Sequence, residues 1–169
     1  MCKQNENVTN PANTVADSKE FLTFRLGGNE YGIDIQHVIQ LRGYGNVTAI
    51  ANAPKHIKGI INLNDGLVQI NDLRTQLNLG DPIYNEFTVV IILTISEKVF
   101  GFVVDSVADV IQFTEEQVRP MPSFDALGDT GLFAGIGKND NRVVVLFDAV
   151  KLMLDSVLPS DAEFYSQTL

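Results

Sequence analysis

Four times along this chain an apolar run of strand length meets a few turn-forming residues and is followed by a second such run. Residues 21–26 and 31–35 flank Gly27-Gly28-Asn29, and residues 57–63 and 67–70 flank Asn64-Asp65-Gly66. Residues 87–95 and 99–104 flank Ser96-Glu97-Lys98, and residues 132–136 and 143–147 flank residues 137–141. Glycine, asparagine and aspartate tolerate the positive φ angles of tight turns, so each pair reads as two adjacent antiparallel strands. In the first pair Tyr31, Ile33 and Ile35 recur at period two around Gly32 and Asp34, the alternation of a half-buried strand. Two runs, residues 89–93 and 143–147, are apolar on both faces. Either they are buried on both sides between two layers, or part of their surface forms apolar patches for protein partners; the two readings are compatible.

The remaining segments are punctuation around these pairs. Residues 36–41 fit a helical turn or an extended segment, Arg42-Gly43-Tyr44-Gly45-Asn46 breaks the pattern, and residues 47–50 read as a short strand. Asn52-Ala53-Pro54 is a turn, and Asp72 stands where an N-cap would open a short helix over 73–77, before Gly80-Asp81-Pro82. Val107, Val110 and Phe113 lie on a further segment ended by Thr114-Glu115-Glu116, and Pro120 and Pro122 mark a loop. Val150, Met153, Leu154 and Val157 share one face of a helix over 148–158, stopped by Pro159. The expected organisation is a disordered polar tail over 1–19, a folded region over 20–158 and a frayed tail over 159–169. The helix-and-turn cluster at 72–85 divides the strands into two β lobes of about 65 residues, each too small to bury more than a modest core alone. The lobes are therefore expected to share an apolar interface.

Charge and composition remove several functions. The chain carries 12 lysines and arginines against 21 aspartates and glutamates, a formal net charge of −9, so it has no basic face for nucleic acid. Its single cysteine makes no internal disulfide, which fits a reducing compartment. No run approaches the ~20 apolar residues of a membrane span, and residues 1–19 have no apolar signal core. His37 and His56 are too far apart for metal-ligand spacing and read as ordinary surface or boundary residues. No Gly-x-Ser-x-Gly elbow is present, and no glycine pair leads from a strand into a helix as a phosphate loop does. Glu97, Glu115, Glu116 and Asp140 fall in turns; Asp105 and Asp109 flank an apolar strand, where edge protection explains them as well as a functional role. A mean hydropathy of +0.08 in a chain with polar tails points instead to a protein-binding module, without cofactor or metal.

A longer pattern supports that direction. Phe21-Leu22-Thr23-Phe24, Glu30-Tyr31-Gly32-Ile33-Asp34-Ile35, residues 38–44, Pro54 and Ile57-Lys58-Gly59-Ile60-Ile61-Asn62-Leu63 are followed by Asp72-Leu73-Arg74, Val103-Val104-Asp105-Ser106-Val107 and residues 144–152. In this order and spacing, over residues 20–155, they resemble the CheW family of chemotaxis coupling proteins. The resemblance implies a mainly β fold of two linked five-stranded SH3-like barrels with short helices and a C-terminal helix. It implies a noncatalytic cytoplasmic adaptor at receptor arrays beneath the inner membrane, not itself inserted. There it would bridge the cytoplasmic tips of methyl-accepting chemoreceptors to the regulatory domain of a CheA-type histidine kinase. By position, the receptor-binding set is Val38, Gln40, Leu41, Gly59, Asn64, Leu67, Val89, Gly101, Val107 and Val110, in helix-in-groove recognition. The kinase-binding set is Ile33, Ile35 and Ile39, with Val38 shared between the two.

One motif departs from the family. Where its members usually read Asn-Leu-Arg-Gly, this chain reads Asn62-Leu63-Asn64-Asp65, with glycine one position later at Gly66. Asn64 lacks the arginine's charge and Asp65 reverses the local sign; Gln40 and Gly45 also replace residues that are often acidic. The departure is compatible with an auxiliary coupler that activates kinase poorly, with a scaffold of a twitching or surface-sensing array, and with drift on a tolerant hairpin.

Overall fold

A computed structural model describes residues 18–63, 66–121 and 131–156. Residues 1–17 of the tail expected over 1–19, the whole tail expected over 159–169, the end of the helix expected over 148–158, the Asn64-Asp65 turn and Pro122 lie outside the described residues. Ser18 and Lys19, expected in the first tail, instead belong to a strand. Four antiparallel pairs stand where they are expected: β1 (Ser18–Leu26) with β2 (Asn29–Asp34), β4 (Ile57–Leu63) with β5 (Gly66–Asp72), β6 (Val89–Ile95) with β7 (Lys98–Val104), and β10 (Phe133–Asn139) with β11 (Arg142–Phe147). The ambiguous segment after residue 35 resolves into a 3-10 turn at Ile35–His37 and strand β3 (Val38–Gly43). Strand β8 (Ser106–Thr114) and the two-residue β9 (Val118–Arg119) complete the strands. The expected strand at 47–50 is only an isolated bridge between Thr48 and Ile60. Helix α1 (Leu73–Gln76) follows β5 and α2 (Ala149–Ser156) follows β11; each starts behind an aspartate, Asp72 accepting from the Thr75 amide and Asp148 from the Lys151 amide, both at 3.1 Å.

The strands form two sheets, as expected, but the lobes are not successive halves of the chain. The first lobe has the order β8-β1-β2-β11-β10-β9 and the second β3-β6-β7-β5-β4. Both run from an edge strand through a hairpin and a parallel neighbour (β2 with β11, β7 with β5) into a second hairpin. The halves of the sequence do repeat each other, yet they exchange their leading hairpins. β1–β2 joins β8–β11 of the second half, and β6–β7 joins β3–β5 of the first. The chain therefore crosses between lobes twice, at residues 35–37 and at Asp105.

This exchange explains the strands that are apolar on both faces. In β6, Val90 and Ile92 point into the second lobe's own core with Ile61, Val68, Ile70 and Val103, while Ile91 and Leu93 point into a core between the lobes. In β11, Val144 and Leu146 pack inside the first lobe on Phe21, Ile111 and Phe113, while Phe147 joins the interlobe core. That interlobe core is the largest of the three and holds Phe24, Tyr31, Phe100, Phe102 and Leu152. Each lobe is sealed where a bulged hairpin strand lies against another backbone, at Gly59 beside Thr48 and at Gly135 beside Arg119. A Cβ at Gly59 would sit 2.0 Å from the Thr48 carbonyl oxygen, and one at Gly135 2.6 Å from that of Arg119, so neither site admits a side chain without moving backbone.

Candidate functional site

Edge strands β3 and β8 each carry a bulge, and the two bulges do the same thing. On β8 the register pairs Phe24 with Val107 and Leu22 with Val110, leaving two residues opposite Thr23. Leu22 and Phe24 both face the interlobe core, so Val107 and Val110, three residues apart, share that face. On β3, Val38 pairs with Leu93 and Leu41 with Ile91, with Ile39 as the extra residue. Val38 and Leu41 thus share the interlobe face as well. Val38, Val89 and Val107 are half-buried against the interlobe core, while Leu41 and Val110 (46 % exposed) carry the apolar strip outward. An apolar strip at the rim of a two-lobed core suits an amphipathic helix better than a small polar substrate.

The other expected residues divide by burial. Gln40 is exposed on β3. Leu67 is 71 % exposed on β5, two strands away from β6 in the sheet. Gly59 and Gly101 are buried backbone positions whose role is packing: a Cβ on Gly101 would meet Ile70 Cδ1 at 2.5 Å inside the second lobe. Asn64 lies outside the described residues. Of the second set, Ile39 is half exposed at the β3 bulge and Ile35 is partly buried in the crossing turn. Ile33 is 2 % exposed within the interlobe core and has no surface to offer a partner. Period-two alternation marks one face of β2 as apolar but does not tell an outward face from one buried by the other lobe.

Asp105 and Asp109, ambiguous in the sequence, each meet an arginine. Asp105, at the crossing from β7 to β8, accepts at 2.9 Å from Arg74 of α1 and at 2.9 Å from the Gly27 amide in the β1–β2 turn, tying the lobes together. Asp109 takes both guanidinium arms of Arg142, at 3.0 and 3.1 Å, and Arg142 also bonds Glu30. The Arg142 bonds, and after them the Thr23 hydroxyl, hold the Asp109 carboxyl below its ordinary value. A depressed carboxylate stabilises the fold above its unfolded pKa and loses that contribution as pH falls through the lower folded value. The stability gap between the wild-type chain and Arg142→Ala should therefore narrow as acid titration passes below the ordinary carboxylate range. Denaturant melts at stepped pH measure it; a gap flat across that range means the pair contributes nothing.

The buried Asp72 carboxylate is satisfied by the Thr75 amide and, at 2.5 Å, by the Tyr84 hydroxyl. Burial and that carboxylate push the Tyr84 phenol up, away from any role as a base near neutrality. Among the described residues no cluster of His, Cys, Asp and Glu could hold a metal ion, and no helix is long and apolar enough to cross a membrane. Concavities of about 490 Å³ at the open end of the first lobe and about 740 Å³ beside α2 are lined by none of the expected residues.

Comparison with known proteins agrees with the two-sheet fold. A family model described as the CheW-like domain matches residues 20–156. The chain is 46 % identical over 135 residues to the chemotaxis protein CheW of Klebsiella aerogenes, covering 80 % of this chain and 81 % of that one. It is 29 % identical over 140 residues to the probable chemotaxis protein CheW of Rhizobium etli, covering 82 % and 89 %. The crystal structure of the scaffolding protein TtCheW from Thermoanaerobacter tengcongensis superposes with a TM-score of 0.71 at 29 % identity, over 77 % of this chain and 88 % of that one.

Proposed function

Because the chain belongs to the CheW-like domain family, we propose that it is a noncatalytic cytoplasmic adaptor coupling chemoreceptor tips to the regulatory domain of a CheA-type histidine kinase. The observation that carries the reading is the pair of bulged edge strands, which turn Val38 with Leu41 on the second lobe, and Val107 with Val110 on the first, toward the interlobe core. A receptor helix lying on this strip would bury the outer apolar surface of Leu41 and Val110 and touch the partly buried Val38, Val89 and Val107. Gln40, exposed beside them, would set its register. Exposed Ile39 on β3 and partly buried Ile35 in the turn that leads into it support a kinase contact at that edge of the second lobe. Ile33 contributes from within, by holding β2 against that lobe.

Reconstitution tests the reading. The chain, a membrane-anchored receptor and the kinase are combined, and kinase autophosphorylation is measured with and without the chain. The expected result is a ternary assembly with stimulated kinase; a kinase that neither copurifies nor responds overturns it. The Asn64-Asp65 sequence favours a second version, an auxiliary coupler that binds receptor but activates kinase weakly. In that version Asn64→Arg with Asp65→Gly raises autophosphorylation in the same assay, whereas unchanged activity points to drift on the hairpin.

A further inference from the structure

In a regular strand Val107 and Val110 would face opposite sides, because side chains alternate. They share a face only because Ala108 and Asp109 together stand opposite the single residue Thr23. Behind that bulge, on the face of β1 opposite the groove, lies a set of polar contacts. Thr23 is fully buried; its hydroxyl accepts from the Asp109 amide at 3.0 Å and donates to the Asp109 carboxylate at 2.6 Å. Arg142 reaches that carboxylate from β11, passing over Glu30 of β2. An edge strand is thereby fastened to strands two and three places into its own sheet. The bulge of β3 at Ile39 has no such side-chain bonds among the described residues, so this architecture does not require them merely to hold a bulged edge. We propose that Thr23, Asp109 and Arg142 form a clamp that fixes the β8 bulge and so positions Val107 and Val110 for the receptor helix.

The inference rests on the adaptor reading for its ligand but not for its geometry. Released, β8 can regain a regular register by a one-residue slip, which turns Val110 away from the groove. These are positioning residues: none needs to touch the partner. The test uses the full chain with labelled valine methyl groups and a soluble receptor-tip fragment. Asp109→Ala and Arg142→Ala should each move the Val107 and Val110 methyl resonances in the free protein and weaken tip binding about tenfold, a change of ~1.4 kcal/mol. Asp109→Asn keeps an acceptor for Thr23 while weakening the arginine contact, and should restore part of both effects. Tyr84→Phe, which loosens the second lobe by one hydrogen bond, should leave both methyl groups where they are. Unmoved resonances together with wild-type affinity in both alanine variants overturn the clamp. If the wild-type chain fails to bind the tip fragment, the receptor reading falls, and the methyl resonances alone then decide whether the clamp exists.

Discussion

Gly59→Ala is expected to lower the melting temperature by about 10 °C while leaving the receptor face itself unaltered. The added methyl would stand 2.0 Å from the Thr48 carbonyl oxygen, and the obstacle is backbone, so no rotamer change relieves it. The position also has φ +146°, a conformation that favours glycine. Relief requires β4 to move off residues 47–48, which breaks the reciprocal pair Thr48 N–H to Ile60 O and Ile60 N–H to Thr48 O, both 2.9 Å, that seals the second lobe. Strain and lost hydrogen bonds together amount to roughly 3 kcal/mol. Calorimetry of the full chain measures the drop. Tip affinity, measured well below the melt, should stay within about twofold of wild type, because a folded variant retains the same edge strands. A melt unchanged within ~2 °C would mean the β4 bulge relaxes without loss, and would return Gly59 to the list of candidate contact residues.

What was legible in the sequence was whatever is decided within about ten residues. Gly27-Gly28-Asn29 and Ser96-Glu97-Lys98 announce their turns, and Asp72 announces α1. The doubly apolar runs at 89–93 and 143–147 offer burial on two sides as one of two readings, which the structure bears out for all but the exposed Val143 at the start of the second run. The exchange of hairpins between halves was not legible. It depends on the parallel pairings of Tyr31 with Val145 and of Gln69 with Phe100, between residues far apart in the chain that carry no local mark of each other. The same limit explains the site. The resemblance supplied Val38, Leu41, Val107 and Val110, but period-two reasoning would have put the members of each pair on opposite faces. Only the bulges at Ile39 and at Ala108–Asp109 bring them round. Asp109 stayed ambiguous between edge protection and a functional role because its arginine lies 33 residues further on.

Val110→Asp should reduce receptor-tip affinity by about 30-fold, roughly 2 kcal/mol, with a melt close to wild type. The side chain is 46 % exposed, so an aspartate there keeps its carboxylate in water in the free protein and costs the fold little. In the complex the same carboxylate would be desolvated against an apolar helix with Val107 and Leu22 as its neighbours, and Arg142, the cation beside the adjacent Asp109, is already engaged by that residue. Val38→Asp makes the informative contrast. Val38 packs against the interlobe core, so its aspartate should lower both affinity and melting temperature, although both positions belong to the same expected contact set. Isothermal titration with a tip fragment, paired with calorimetry, separates the two variants. Wild-type affinity in Val110→Asp would move the contact off β8, towards exposed apolar surface such as Leu67 on the far hairpin of the second lobe. A collapsed melt would instead mean that Val110 is held more tightly between the lobes than its exposure indicates.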